Sequence, residues 1–352
     1  MEFQGIYDEF KIKDLERSIE ELAFSTDISF WEVVKEVYEN GSNGLLVSLM
    51  DQIKEAFISE WLEMKNIVIT VVIIIVISAL FSTFKDMFLN KQIAEFSFYV
   101  NYLVLIMIFT SYFGQALEIG ESTLKSIEQF MRIFFPAYFG MIGTTIGVGT
   151  GLGYYQIAVI VIYVVEWVLI SFLLPALSTY MMLVMMNGIW EEGKLALVLD
   201  FYRKGIKFTL KILFGMLTGA SILQSLITPV MDKVKGEAVY KTIESIPGIG
   251  EMTEGALRIW LGSAVLIKNS VGIAGGIFLL TVCLSPMVKI FFMGGILKIT
   301  SAILSVVAEK KMIICINQVG EAIFMILHTV SYGLLFFVVL IAVTAYATNG
   351  VF

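Results

Sequence analysis

Charged side chains are scarce in this 352-residue chain, which has 16% charged residues where a soluble globular domain has about 25%. Histidine occurs once and cysteine twice, so no set of metal ligands stands at suitable spacing. The two cysteines lie in or beside apolar segments and are predicted to be buried apolar side chains. The sequence also contains no Ser/His/Asp set, no paired aspartates and no HExxH motif. We therefore predict no metal, no cofactor and no enzymatic activity.

Long charge-free apolar runs dominate instead, and 58% of the residues are hydrophobic. The first two runs, 66–84 and 96–117, each reach the roughly 18–20 residues that cross about 30 Å of hydrocarbon as a helix. The sequence predicts an all-α fold, namely a polytopic helical membrane protein of about eight spans with a small amphipathic helical N-terminal head. The predicted spans lie near 66–84, 96–117, 133–149, 154–172, 173–190, 212–231, 259–281 and 322–346.

The acidic charge is concentrated at the N-terminal end. Residues 1–65 hold 15 acidic against 6 basic residues, whereas the rest of the chain holds 16 against 18. We predict an extracytoplasmic helical head at 1–62 and a membrane domain at 63–352, with no indication of nucleic-acid binding. Ser29-Phe-Trp-Glu32 is a capping box that opens a helix, and Asn40-Gly41 ends it. A head of this size cannot close a core, so we expect it to pack on a partner or on the membrane surface.

The basic residues near the span ends indicate the orientation of the head. With the head outside, 11 Lys and Arg residues flank the spans on the inner side and 8 on the outer side. The densest basic cluster, 203–211, then lies inside, where basic residues are favoured. The head is therefore predicted to be extracytoplasmic. Residues 1–38 show neither the basic start nor the apolar centre of a secretory leader.

Three segments between spans are amphipathic, and we predict interfacial helices near 118–132, 191–211 and 233–258. In the first segment an apolar stripe runs from Leu124 to Phe134, and acid–base pairs at i, i+4 lie on the other side. Such a helix fits the headgroup plane of a bilayer, with its apolar side towards the acyl chains.

Glu166 is the residue most open to a chemical role, because it lies deep in the apolar run 154–172. A carboxylate in mid-bilayer costs roughly 2.5–3.5 kcal/mol, so it must face a partner or a wet cavity. Two interpretations remain open: a pore-lining or proton-binding group, and a structural acid near an interface that is neutralised or paired with a Tyr or Ser side chain. Lys268 and Asn269 interrupt a second apolar stretch and are further candidates for a cavity lining.

Helix breaks are predicted where glycine and proline interrupt the apolar segments. The glycines of 140–153 indicate either a re-entrant filter-like loop or a tight hairpin between closely packed spans. Pro residues at or near the ends of apolar runs are candidate hinges. The candidate break positions are Gly147, Gly149, Gly151, Pro175, Pro229 and Pro286.

The segment 226–276 resembles the stage III sporulation protein AE family of endospore-forming bacteria. Family members show a Pro near a span end, a short amphipathic helix, an Ile-Pro-x-x-Gly turn, and a Lys-Asn pair before a glycine-rich span. The turn is formed here by Pro247 and Gly250, and the Lys-Asn pair is Lys268 and Asn269. Other matching positions are Pro229, Gly262, Ser263, Leu266 and Gly272. In overall plan the resemblance extends over most of the chain.

The resemblance implies a component of a channel-like apparatus between mother cell and forespore, in the mother-cell-derived membrane around the forespore. Its partners would be other membrane proteins of the apparatus or further copies of the chain, all within the lipid bilayer, and it would catalyse no reaction. The alternative function is that of a stand-alone secondary transporter or permease for a small solute. In that case Pro175, Pro286, Glu166 and Lys268 would belong to the substrate region.

Overall fold

A computed structural model gives the fold of this protein. It describes residues 30–40, 91–146, 148–189, 195–216, 250–305 and 310–347, together with the single positions 17, 19, 54, 58, 69, 73, 76 and 219. Every element in these ranges is helical, which confirms the predicted all-α fold. Most of the predicted spans 66–84 and 212–231, and the predicted interfacial helix up to residue 249, lie outside the described residues.

The helices are labelled in chain order. They are α1 (Phe30–Asn40), α2 (Lys91–Ile146), α3 (Val148–Glu166), α4 (Leu174–Ile189), α5 (196–216), α6 (Gly250–Leu304) and α7 (Lys310–Ala347). A π-helix, Trp167–Leu173, joins α3 to α4, and the three together are called the α3–α4 rod. Four segments in the described residues are long and apolar enough to cross a membrane, namely Tyr99–Gly143, Tyr155–Ile189, Asn269–Leu304 and Lys310–Ala345. The protein is a multi-pass helical membrane protein.

Helix α1 begins and ends where the capping box and the Asn-Gly pair predict. Its apolar side is buried, and consists of Phe30, Val33, Val34 and Val37. The ring centroid of Phe30 lies 5.6 Å from that of Phe278 in α6, and 6.4 and 6.2 Å from those of Phe130 and Phe134 in α2. Cover for this side was expected from a partner, from the membrane surface or from the chain's own segments at 118–132 and 233–258, and the contact with Phe130 agrees with the segment 118–132.

Helix α2 runs through three segments that the sequence predicts to be separate: span 96–117, interfacial helix 118–132 and span 133–149. The structure corrects this prediction, because 56 residues form one continuous helix. The apolar stripe from Leu124 to Phe134 stays in register with the apolar side of the first span, so a single side of the helix packs on the bundle throughout. At 1.5 Å per residue the helix is about 84 Å long, so part of it lies outside the roughly 30 Å of hydrocarbon.

The predicted spans 154–172 and 173–190 also lie on one rod rather than on two helices divided at Pro175. Pro175 has no N–H to donate, and the preceding helix widens into a π-helix, in which the N–H of Leu174 donates to the carbonyl of Leu169. Buried residues recur four apart at Val165, Leu169, Leu173 and Leu177. An α-helix of 3.6 residues per turn drifts from such a spacing, and the π-helix keeps these side chains on the bundle side.

Helix α6 extends beyond its predicted span, 259–281, and passes through Pro286 without ending. Proline is tolerated inside a membrane helix where neighbouring helices pack closely. The packing against α7 is close here, since a Cβ added at Gly320 would lie 3.2 Å from the carbonyl oxygen of Gly294. The predicted span 322–346 lies within α7.

The α3–α4 rod runs antiparallel to α2. Near one end of the rod the hydroxyl of Tyr102 donates to the carbonyl oxygen of Met185 at 3.1 Å. Near the other end the ring of Phe139 lies 5.8 Å from that of Tyr155, and Arg132 meets Glu166 between these two contacts. The two helices therefore lie side by side from Tyr155 to Met185, which is about thirty residues of the rod or about 45 Å at 1.5 Å per residue.

Helix α6 also runs antiparallel to α2, and α7 packs against both helices. The hydroxyl of Tyr112 donates to the carbonyl oxygen of Met293 at 3.5 Å, and the ring of Phe134 fills the space beside Gly275. Helix α7 packs on the buried side of α2 around Leu124 and also contacts α4 and α6. One side of α2 is thus left facing away from the bundle.

Candidate functional site

The outward side of α2 carries charged residues through the middle of the helix. We call it the charged face, and it consists of Glu118, Glu121, Lys125, Glu128 and Arg132. The spacing places these residues along one helix side, and the opposite side is buried. The amphipathic pattern predicted in the sequence is confirmed, although the helix belongs to the bundle. The side chains of Lys125 and Arg132 are 54% and 61% exposed.

Ion pairs at i, i+4 order the charged face. Lys125 Nζ lies 2.6 Å from Glu121 Oε1, and Arg132 Nη2 lies 2.5 Å from Glu128 Oε1. In both pairs the acid precedes the base, which is the favourable order on a helix. An exposed pair such as Lys125 with Glu121 stabilises a helix by only about 0.3–0.5 kcal/mol. The main effect of such pairs is therefore to keep this side of α2 polar rather than to hold the fold.

Glu166 reaches the charged face from the end of α3. Its Oε1 lies 3.5 Å from Arg132 Nη2, and the side chains of Glu166 and Glu128 are only 16% and 14% exposed. One guanidinium therefore serves two largely buried carboxylates. Sequence reasoning did not identify Arg132 as the partner of Glu166. In the sequence, Arg132 forms an acid–base pair on an amphipathic segment. That pattern predicted a helix in the headgroup plane and not a contact with a neighbouring helix.

The π-helix begins directly after Glu166. A π-helix holds its backbone hydrogen bonds less regularly than an α-helix, and such segments often occur at functional sites. Glu166, which pairs with Arg132, is thus the last α-helical residue before the rod becomes a π-helix. Pro175, predicted as a hinge, lies just past this segment and is exposed inside α4.

A second group of polar atoms lies between α2 and α6. Tyr138 is fully buried, and a Cβ added at Gly272 would lie 2.7 Å from its hydroxyl oxygen. In the described part of the chain, neither this hydroxyl nor the amide oxygen of Asn269 has a hydrogen-bond partner. Asn269 precedes Gly272 by about one helix turn, so both groups lie on the same side of α6. Buried polar groups are nearly always paired, and Asn269 therefore remains a candidate for a cavity lining.

The other predicted site residues lie apart from the charged face or outside the described residues. Helix α2 ends at Ile146 and α3 begins at Val148 in the antiparallel direction, which favours the tight hairpin over the filter-like loop. Glycines 149 and 151 lie in α3, Pro286 and Lys268 lie in α6, and Gly250 is the first residue of α6. Gly147, Pro229, Pro247 and the side chain of Lys268 are outside the described residues.

A second interhelix ion pair joins α5 to α7. Arg203 Nη1 lies 2.7 Å from Glu321 Oε1, and Arg203 Nη2 lies 3.4 Å from Asp200 Oδ1. The hydrogen bond to Glu321 raises the pKa of Arg203, and the hydrogen bond from Lys204 lowers the pKa of Asp200. Arg203 and Asp200 are therefore both charged at neutral pH, and the pair with Glu321 anchors the basic segment to the bundle.

Helix α5 follows α7 along the bundle. Arg203 meets Glu321, and eleven residues later on both helices the ring of Phe214 lies 5.8 Å from that of Tyr332. Equal steps on the two helices mean that they run parallel. The helix predicted at 191–211 was expected to lie at the membrane interface. Over its described residues it lies along the bundle instead, because one of its sides packs against α7.

The residue types that suit metal or redox chemistry do not cluster. No group of three or more His, Cys, Asp or Glu suited to a metal ion occurs in the ranges that the structure describes. Cys283 and Cys315 are 0% and 2% exposed, which confirms that they are buried apolar side chains.

Comparison with known proteins extends the resemblance seen in the sequence. The family model described as stage III sporulation protein AE matches residues 28–348. The stage III sporulation protein AE of Bacillus subtilis (strain 168) is 18% identical over 281 residues, which cover 80% of this chain and 70% of that relative. No solved structure matches the chain. Since the family match spans most of its length, the chain belongs to the stage III sporulation protein AE family.

Proposed function

We propose that this protein is a membrane component of a channel or secretion-like assembly that links mother cell and forespore. The assembly supports forespore development after engulfment. Membership of the family supports the role in sporulation. The observation that carries the proposal further is the charged face of α2, which we assign to the water-facing or partner-facing side of the bundle.

The surroundings of the charged face support this assignment. On the neighbouring rod, beside the same part of α2, Trp167 and Phe172 are 56% and 52% exposed. On α6, Leu280 and Phe291 are 41% and 51% exposed at the same height. Apolar side chains such as these fit lipid. A charged residue in hydrocarbon costs roughly 2.5–3.5 kcal/mol, so five of them on one helix side require water or polar partners.

The location and partners follow from the same surface. We place the protein in the mother-cell-derived membrane around the forespore, with the head extracytoplasmic. Its partners are other membrane proteins of the same apparatus, or further copies of this chain, which enclose the charged face. The buried apolar side of α1 is already covered by α2 and α6, so partner contacts use polar surfaces. The absence of a catalytic residue set in the sequence agrees with a role without catalysis.

A sporulation assay tests the proposal. The triple variant Glu118→Leu, Glu121→Leu and Lys125→Leu removes three of the five charges of the charged face while leaving Arg132 with Glu128 and Glu166. We expect normal membrane insertion and a loss of forespore gene expression after engulfment. The matched control, Met182→Ala on the rod, should sporulate normally. Full sporulation of the triple variant at wild-type protein level would contradict the proposed role of this face.

The orientation of the head is tested separately. A cysteine introduced as Ser25→Cys should react with an impermeant thiol reagent in intact cells, and one introduced as Thr209→Cys should not. The reverse labelling would place the head in the cytoplasm.

A stand-alone secondary transporter for a small solute is the second candidate. The π-helix directly after Glu166 favours it, because transporters build substrate sites from interrupted membrane helices. The two functions differ in what the purified protein does alone. A lone protein that takes up solute into vesicles supports the transporter, whereas co-purification with neighbouring gene products and no uptake supports the assembly.

A further inference from the structure

Helix α5 presents apolar side chains on two opposite sides. The inner side packs on the bundle, where Leu199, Ile206, Leu210 and Leu213 are at most 5% exposed. The outer side points away from the bundle and is called the outer ridge. It consists of Leu197, Phe201, Phe208 and Ile212, which are 84%, 72%, 64% and 41% exposed. The ion pair of Arg203 with Glu321 fixes the inner side, so the helix cannot turn the outer ridge inward.

A row of lysines flanks the outer ridge. Lys204, Lys207 and Lys211 are exposed, and helical spacing places all three on the same flank. Lys204 Nζ lies 2.7 Å from Asp200 Oδ2, so the positive charge of Lys204 is compensated by this carboxylate. In the described part of the chain, Lys207 and Lys211 have no acidic partner. The outer side of α5 thus combines an uncovered apolar surface with two unpaired positive charges.

We infer that the outer ridge and its lysine flank bind an anionic phospholipid. The acyl chains lie along Phe201 and Phe208, and the headgroup phosphate lies between Lys207 and Lys211. The two lysines are one turn apart, with about 6 Å between them along the helix axis, so both ammonium groups reach one phosphate. This binding site is independent of the proposed role of the charged face.

Anionic lipid fits this surface better than other occupants. A membrane-spanning chain always meets lipid, and a phospholipid presents an apolar and a polar part side by side, as α5 does. A neutral lipid matches only the outer ridge, because its headgroup carries no net negative charge for the lysines. Basic residues next to apolar side chains on a helix are the usual arrangement for anionic membrane lipids.

The test uses the full-length protein in nanodiscs of phosphatidylcholine, with or without phosphatidylglycerol. Lipid retention is measured by native mass spectrometry, and thermal stability is measured in the same preparations. We expect phosphatidylglycerol to be retained and to raise the melting temperature. In the Lys207→Gln/Lys211→Gln variant the apparent affinity should fall about thirtyfold, because each lysine near an anionic surface contributes about a fivefold to sixfold gain.

Two controls separate charge from folding. The Lys207→Arg/Lys211→Arg variant keeps both charges and should keep the response to phosphatidylglycerol. The Lys310→Gln/Lys311→Gln variant removes two charges at the start of α7 and should also keep it. Equal melting temperatures of all variants in phosphatidylcholine show that the fold is intact, so a difference that appears only with phosphatidylglycerol reports lipid binding.

Three results would overturn the inference. The first is an equal response of the Gln variant and the wild type to phosphatidylglycerol. The second is an equal rise in melting temperature with inorganic phosphate in phosphatidylcholine, which would indicate a phosphate site without a lipid. The third is the loss of a co-purifying protein from the Gln variant with no change in lipid retention, which would assign the surface to a protein partner.

Discussion

Helix α2 and the α3–α4 rod are long neighbours with opposite outer surfaces. Along residues 118–132, α2 exposes charged residues in ion pairs, whereas the neighbouring part of the rod exposes the aromatic side chains of Trp167 and Phe172. The bundle is therefore polarised sideways, from one flank to the other, and not only from one end to the other. Average hydropathy along the chain does not reveal this, because each helix has one buried apolar side whatever its outer side carries.

The strongest test of this comparison is chemical accessibility. Glu118→Cys on α2 should react with a membrane-impermeant maleimide when both membrane faces are open to it. Phe172→Cys on the rod should react only with an apolar maleimide, because lipid covers it. The native cysteines are buried and give little background. Equal labelling of the two positions by the impermeant reagent would remove the difference between the two flanks.

The contact that joins the two helices gives the largest expected effect on stability. A Cβ at Gly188 would lie 1.8 Å from the Tyr102 hydroxyl oxygen and 2.3 Å from its Cζ. Gly188→Ala should therefore displace the buried ring, break its hydrogen bond to Met185 and lower the free energy of unfolding by about 3 kcal/mol. Denaturant titration in detergent measures this change.

Gly140→Ala, on the outward side of α2, is the matched control for that substitution. No atom lies within 4 Å of its added Cβ, so the variant should be as stable as wild type or more stable by up to about 1 kcal/mol. Equal free energies of unfolding for the two alanine variants would show that α4 does not approach Tyr102 this closely.

The ion pair between the two flanks should have an intermediate effect. Arg132→Leu leaves two largely buried carboxylates without a counter-charge and should destabilise the protein by about 1–2 kcal/mol, reduced by the exposure of the guanidinium. Glu166→Leu removes the surplus carboxylate and should be nearly neutral. In the double variant part of the loss should be recovered, and a double-mutant cycle measures the coupling. Strict additivity would show that the two residues do not interact.

The smallest effect is expected on the charged face itself. Lys125→Gln breaks the exposed pair with Glu121 and should change the free energy of unfolding by less than about 0.5 kcal/mol. If this side of α2 lay in hydrocarbon, the substitution would instead leave the Glu121 carboxylate unpaired there and destabilise the protein by about 3–5 kcal/mol. The size of the change therefore reports on the surroundings of α2.

Local features of the fold were predictable from the sequence. The capping box set the bounds of α1, and the apolar spacing from Leu124 to Phe134 identified the buried side of α2. Continuity of the helices was not predictable. The sequence indicates where a helix is able to stop, as at Pro175, but neighbouring helices decide whether it does, because their packing compensates for a missing hydrogen bond.

The candidate site was predictable only in part. Glu166 stood out because a lone carboxylate in an apolar run demands a partner. Its partner, Arg132, comes from another helix, and only the antiparallel packing of α2 and the rod brings the two together. Asn269 stood out in the same way, yet the buried hydroxyl of Tyr138 near it carries no signal in the sequence, since a tyrosine in an apolar helix looks like any other aromatic residue.

The position of Phe30 has a consequence for the order of synthesis. Its ring lies between aromatic residues of α2 and Phe278 of α6, which the ribosome makes far later. Chains are synthesised from the N-terminus, so α1 is complete while its final contact surface does not yet exist. The apolar side of α1 therefore lacks its final contacts while most of the chain is translated. Docking of α1 in its final position therefore requires that α6 has been made.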